Sequence, residues 1–204
     1  MAAKYIAIVI VIILSFNRLR LARQSATFKD KLRGEPSKRW TYSMLIILYI
    51  VLILGSIIEN YFLVKKLNLV ISSFSFCAYV TGIIGRNKAI RTLGKYWSTH
   101  IEIRNGQRIV QDGPYKYIRH PGYLSVIIEG LSIPGMLNAY FSLLGVIFIY
   151  TPAILVRAKL EDMEMEKKIG KEFTAYKKKV GAFIPKNLLN LAVFSLKRKD
   201  NSKK

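Results

Sequence analysis

The chain has one cysteine, two histidines, and only 12 acidic residues against 33 Lys and Arg. Each shortage excludes something. A single cysteine, Cys77, makes no disulfide within the chain, and nothing near it has metal-ligand spacing. It reads as a small hydrophobe inside an apolar run. With only His100 and His120, a multi-histidine metal site is ruled out, and no metal is expected. The scarcity of acids leaves a formal net charge of +21. In a soluble protein that charge points to nucleic acid. Here the charge sits beside apolar runs, where membrane orientation and anionic lipid headgroups account for it. No nucleic-acid partner is expected.

What is abundant is apolar: 51% of the residues are hydrophobic. They segregate into uncharged runs separated by basic ones, as in a chain that alternates between lipid and water. The first run, 5–16, spans about 18 Å as a helix, short against a hydrocarbon core of roughly 30 Å. It could be the core of a signal peptide, but Asn17-Arg18-Leu19-Arg20 follows instead of a small-x-small cleavage site. A short first span is the preferred reading, anchored by Lys4 and extended by the stems of Arg18 and Arg20. Runs 42–58 and 67–85 read as an antiparallel hairpin that turns at Lys65-Lys66. Run 121–156 carries one charge, Glu129, and is too long for one span. The Pro134-Gly135-Met136-Leu137-Asn138 step breaks it into a second hairpin.

The expected fold is therefore an all-α integral membrane protein with about five transmembrane helices. Its parts are N-terminal spans in 1–85, a core of loop, hairpin and C-terminal helix in 86–186, and a tail in 187–204. Segments 17–41, 86–120 and 157–204 hold eight, eight and fourteen Lys/Arg, and the other side holds Lys4, Lys65 and Lys66. Five spans put all three basic segments on one side, with the N-terminus outside and the C-terminus cytoplasmic; four spans, without the first, keep the same cytoplasmic segments and move the N-terminus inside. Residues 157–179 read as one helix continuing out of the last span, stopped by Gly181 and Pro185. Stretch 188–196 reads as a second, short apolar stretch that lies on the membrane or packs on the protein, and 197–204 as a polar, charged, disordered end.

Three places could carry chemistry. In loop 106–123, Arg119 and His120 precede Pro121. Proline pushes His120 to extended geometry and suits the first helical turn. The unpaired N–H groups that follow could meet a carboxylate. An ordinary turn with interfacial tyrosines explains the same residues. Arg157 and Glu161 share one face of the tail helix. They form either an exposed ion pair of little energetic weight or a fixed cation and carboxylate at the membrane surface. Glu129 lies where an ionisable group is costly, and either serves function or reaches into a wet cavity.

Gly113-Pro114-Tyr115-x-x-x-Arg119-His120-Pro121-x-Tyr123 resembles the signature of the isoprenylcysteine carboxyl methyltransferase family and its phospholipid methyltransferase relatives. Glu161-Asp162, Ile169-Gly170, Phe173, Tyr176 and Pro185 resemble the family's second motif. Asp162 stands there for a Glu, and Ile169 for a Phe. Leu93-Gly94-x-x-Trp97-Ser98 is similar to its upstream segment. The resemblance covers roughly 80–186. It implies a membrane methyltransferase using S-adenosylmethionine, with a cytoplasmic cofactor pocket and a lipid-like or prenylated acceptor bearing a free carboxylate. It implies cofactor contacts from Gln107, Arg108, Ile109, Val110, Tyr115, His120, Pro121, Gly122, Tyr123 and Glu161, and a substrate contact from Arg157. His100 aligns loosely with the pocket.

Other readings remain at this stage. A phospholipid N-methyltransferase needs a base, for which Glu129 is the candidate. A steroid-reductase-like NADPH enzyme needs cations such as Arg104, Arg108 and Lys116. A non-enzymatic membrane scaffold needs neither.

Overall fold

The computed structural model describes residues 2–26, 37–103 and 106–186. The expectations for Arg104, 188–196 and 197–204 lie outside them. The described chain is helical, apart from loops and two isolated bridges. The long helices are α1 (Ala2–Ala26), α2 (Arg39–Phe62), α3 (Leu69–Leu93), α4 (Pro121–Leu137) and α5 (Tyr140–Ile169), followed by the short α6 (Lys171–Lys179).

Three of these, Arg39–Phe62, Leu69–Tyr96 and Tyr140–Ile169, are long and apolar enough to cross a membrane. The apolar part of α1 ends at Phe16, and α4 has 17 residues, about 26 Å of helix. Large side chains such as Val70, Phe74, Phe141 and Phe148 are exposed along the helices. Apolar surface on that scale belongs against lipid. The chain is a membrane protein.

Four boundaries differ from the sequence reading. Helix α1 runs on to Ala26 rather than stopping near Phe16, because neither Pro nor Gly interrupts it. Helix α3 continues past Gly85 to Leu93, so Arg86 is helical. In the second hairpin the break lies within the expected 134–138 step but only at its last residue, Asn138, which is left-handed with φ of 52°, while Pro134 and Gly135 remain helical. The tail is two helices, not one. Gly170, with φ of 73°, separates α5 from α6, in a conformation that glycine adopts without strain.

The core forms where α2, α3, α4 and α5 meet, around Tyr49, Ile53, Tyr79, Ile133, Leu137, Val146, Tyr150 and Ile154, with Val11 of α1 beside them. On α2 the buried positions Thr41, Tyr49, Ile53, Ser56 and Asn60 recur at helical spacing and form one face. Glycine sets the α3–α4 approach. A Cβ on Gly82 would stand 2.8 Å from Cγ of Glu129, and one on Gly85 would stand 2.9 Å from the Ser125 hydroxyl. Small residues at that spacing let two helices pack closely without a hydrophobic driving force.

Polar groups close the hairpin end. Glu59 accepts hydrogen bonds from the backbone N–H groups of Phe141 (2.9 Å) and Ser142 (2.8 Å), and from the Ser142 hydroxyl. Asn60 donates to the Leu137 carbonyl at 2.6 Å. The Asn138 side chain accepts from the Asn68 N–H at 2.6 Å and donates to the Gly135 carbonyl at 3.1 Å. These bonds satisfy helix-terminal groups that lipid cannot.

Candidate functional site

At the opposite end of the helices, the chain's two candidate segments meet. His120 sits just before Pro121, the first residue of α4. Its backbone N–H donates to the Ala182 carbonyl at 3.0 Å, and the Arg119 N–H donates to the Gly181 carbonyl at 2.8 Å. The segment after α6 is thereby laid along the Arg-His-Pro bend. The side chains of this bend then turn to α5. His120 Nε2 lies 2.9 Å from one oxygen of Asp162, and Arg119 Nη2 donates to the other at 2.8 Å. Arg119 also donates to the Val180 carbonyl. Asp162 is therefore a clasp between loop, α5 and the segment behind α6, with both oxygens occupied. The shorter carboxylate that departs from the family motif fits this clasp.

One turn away, Tyr123 joins Arg157 to Glu161. The Tyr123 hydroxyl donates to Glu161 Oε2 at 2.5 Å, and Arg157 Nε donates to that hydroxyl at 2.9 Å. Arg157 Nη1 donates to the Thr41 hydroxyl and Nη2 to the Thr99 carbonyl, both at 2.6 Å. The exposed ion pair considered from sequence is therefore corrected. Arg157 is 3% exposed and reaches Glu161 through a phenol. A guanidinium has five N–H donors, so three bonds leave two for a ligand.

Below the bend, the Tyr176 hydroxyl donates to the Tyr115 carbonyl at 2.6 Å. Burial pushes the Tyr176 phenol up to about 12, and Asp162 adds to the rise. Burial first, and then Glu161, push the Tyr115 phenol further up. Both remain protonated at neutral pH, so the Tyr176 donor persists.

These groups surround a cavity of about 890 Å³. Its wall includes Gln107, Arg108, Ile109, Val110, Tyr115, His120, Gly122, Tyr123, Arg157 and Glu161. Of the cofactor and substrate contacts that the resemblance implied, Pro121 is off the wall; it is buried and starts α4. His100 also lines the cavity, edge-on to Tyr42. Sequence reasoning missed the far wall: Arg18, Tyr42, Tyr49, Arg86 and Tyr150. Arg18 and Arg86 border apolar runs and read only as orientation charges. The wall suits a large ligand with an aromatic part and polar ends. It offers the rings of Trp97, Tyr115, Phe173 and Tyr176, and the half-buried carboxylate of Glu161. An adenosyl sulfonium with an amino-acid end has that chemistry. Among the described residues no group of three or more His, Cys, Asp or Glu side chains could hold a metal ion.

Glu129 does not line the cavity. It is completely buried, 2.8 Å from Arg86 Nε and 3.2 Å from Arg18 Nη1. The sequence reading of it as a group in a wet cavity, or as a free base, is corrected: its negative charge is held by two guanidinium groups. Lys116 is exposed and off the cavity wall, and Arg108 is exposed at its edge.

The family model "Isoprenylcysteine carboxyl methyltransferase (ICMT) family" matches residues 70–167. The chain is 36% identical over 83 residues to protein YpbQ of Bacillus subtilis (strain 168), covering 41% of this chain and 49% of that protein. It is 26% identical over 117 residues to protein-S-isoprenylcysteine O-methyltransferase B of Arabidopsis thaliana, covering 56% of this chain and 59% of that one. The fold matches a solved structure of the eukaryotic intramembrane Ras methyltransferase ICMT with a TM-score of 0.57 at 22% identity, over 73% of this chain and 53% of the other. The chain thus spans about half the length of the relatives it matches.

Proposed function

We propose that this chain, which carries the isoprenylcysteine carboxyl methyltransferase family's pattern over residues 70–167, is an integral membrane methyltransferase that esterifies the carboxylate of a lipid-linked acceptor. One observation carries the reading. The Arg-His-Pro bend and the Glu161-Asp162 turn of α5 close around a single cavity at the ends of apolar helices. A soluble donor and a lipid-bound acceptor can meet only at such a boundary.

The loop 107–110, Tyr115, the bend 120–123 and Glu161 would hold S-adenosylmethionine. When bound, the cofactor supplies an electrophilic methyl group on sulfur. The rest is the work of this chain's residues. A carboxylate with a pKa near ~4 is already an anion at neutral pH, so no side chain has to remove a proton. The two remaining N–H groups of Arg157 would hold one carboxylate oxygen, while Thr41, Thr99 and Tyr123 keep the guanidinium fixed. Catalysis is then by orientation, and excluding water sharpens it. On the five-span reading with the N-terminus outside, the cavity, α6 and the C-terminus lie on the cytoplasmic side, a reading that the distribution of Lys and Arg supports. In this arrangement 1–85 frames the acceptor, 86–186 is the methyl-transfer core, and 187–204 is a tail.

Amine methylation needs a base. Glu129, its candidate from sequence, is committed to Arg18 and Arg86. A nicotinamide cofactor with extra phosphates needs cations on the wall; of the candidates from sequence Arg108 lines it and Lys116 does not, so binding of NADPH is the measurement that separates this reading. The test is labelled-methyl transfer into membrane lipid and protein extracts. The product should lose its label in alkali, as esters do. An alkali-stable product would identify N-methylation and overturn the reading.

A further inference from the structure

The cavity has a second cationic feature, apart from Arg157. Arg18 of α1 and Arg86 of α3 both face it. Behind them, closed off from it, lies Glu129 of α4. Glu129 is six residues beyond Tyr123 on the same helix, so the pair sits roughly 9 Å further along the axis, toward the lipid-embedded part. Arg86 meets Glu129 through Nε alone. Arg18 meets it at 3.2 Å, lies 4.2 Å over the Tyr49 ring, and is 3.5 Å from the Tyr150 hydroxyl. The two arginine side chains are 12% and 15% exposed. They are enclosed, yet open to the cavity.

The charges at this spot do not balance. Two guanidinium groups share one carboxylate. The neighbours from α2 and α5 are the neutral Tyr49 and Tyr150. A single arginine would neutralise Glu129; the second is a surplus cation among apolar helices. Such a charge is costly at that depth and is expected to meet a counter-charge. Among the described residues the acids on the cavity wall stand elsewhere. Glu161 takes the Tyr123 hydroxyl, Asp162 is held by His120 and Arg119, and Glu102 accepts from the Ser98 hydroxyl.

We propose that Arg18 and Arg86 are specificity-determining residues that receive the anionic head of a membrane-dissolved amphiphile, so that the cavity selects acidic lipids over neutral or amine-headed ones of the same chain. Glu129 fixes the two guanidinium groups in place and leaves one positive charge unspent. An acid entering between them gains charge-assisted hydrogen bonds from donors already oriented and partly desolvated. A neutral amide of equal length gains less, and an amine is repelled. This anion site stands apart from the Arg157 contact proposed above for the methyl acceptor, and the claim that the wall selects an acid does not rest on that function.

The experiment compares hexadecanoic acid with hexadecanamide, binding to full-length protein in a neutral detergent at fixed salt. The acid should bind about tenfold more tightly, the effect of one charged hydrogen bond over a neutral one. Arg86→Gln should bring the two affinities together, and Arg86→Lys should retain most of the preference. A purely structural Arg–Glu–Arg triad predicts otherwise: equal binding of acid and amide by the unaltered protein, or an undiminished preference in Arg86→Gln. Either result overturns the proposal, and the first needs no variant to fold. S-adenosylhomocysteine binding, measured alongside, separates the two claims. Acid preference without nucleoside binding overturns the methyltransferase reading alone. Nucleoside binding without acid preference overturns the anion site alone.

Discussion

The two ends of the helical bundle are built from similar materials and do different things. At the hairpin end, Glu59, Asn60, Asn68 and Asn138 are tied to backbone groups at the ends of α3, α4 and α5. Their bonds finish helices, and none of these residues borders the cavity. At the other end, Arg119, His120, Tyr123, Arg157, Glu161 and Asp162 bond to side chains across elements and line a cavity of about 890 Å³. Buried polar residues in a membrane protein are therefore not evidence of a site in themselves. The distinction lies in what their partners are, and in whether donors remain over once the helix termini are satisfied.

The contrast can be broken by substitution. The largest effect is expected at Arg157. Arg157→Ala leaves the Tyr123 hydroxyl and Thr41 without their charged partner and removes the proposed carboxylate contact. Labelled-methyl turnover should fall about 100-fold, equivalent to ~3 kcal/mol for a buried charged donor, while circular dichroism stays helical. Unchanged turnover would remove that role from Arg157. Next is Asp162→Asn, which weakens the clasp on Arg119 and His120. Its melting profile in detergent should report a loss of about 2 kcal/mol, with weaker S-adenosylhomocysteine binding because the loop is freed. Glu161→Gln keeps the shape and loses the charge. Its S-adenosylhomocysteine affinity should drop about tenfold with little change in stability. The smallest effect is expected at the hairpin end. Asn138→Ala removes a left-handed Asn and its bonds to Asn68 and Gly135, and should cost about 1–2 kcal/mol of stability. Cofactor affinity should be unaltered. If Asn138→Ala weakened that affinity as much as Glu161→Gln does, the two ends would not be separable.

Much of this arrangement was legible from residue order. The apolar runs marked α2, α3 and the second hairpin, because lipid demands long uncharged helices. The bend at Arg119-His120-Pro121 was legible because proline constrains its predecessor. Boundaries were less so. Neither Gly85 nor Pro134 stops its helix, since packing against neighbours overrides a local breaker. The break at Gly170 lay in a run rich in Glu and Lys that reads as continuous helix. The far wall of the cavity was invisible for another reason. Arg18, Arg86 and Glu129 are far apart in sequence and come together only when α1, α3 and α4 pack. The small residues Gly82 and Gly85, which permit that contact, look in the sequence like any glycines of an apolar run.

The central claim is that the bend and the acidic turn of α5 together form a nucleoside-binding cavity for methyl transfer. Calorimetry on the detergent-solubilised full chain tests it most directly, titrating S-adenosylhomocysteine and NADPH in parallel. The account predicts saturable binding of S-adenosylhomocysteine, weakened in Glu161→Gln, and no binding of NADPH. Saturable NADPH binding with no heat from S-adenosylhomocysteine would contradict it.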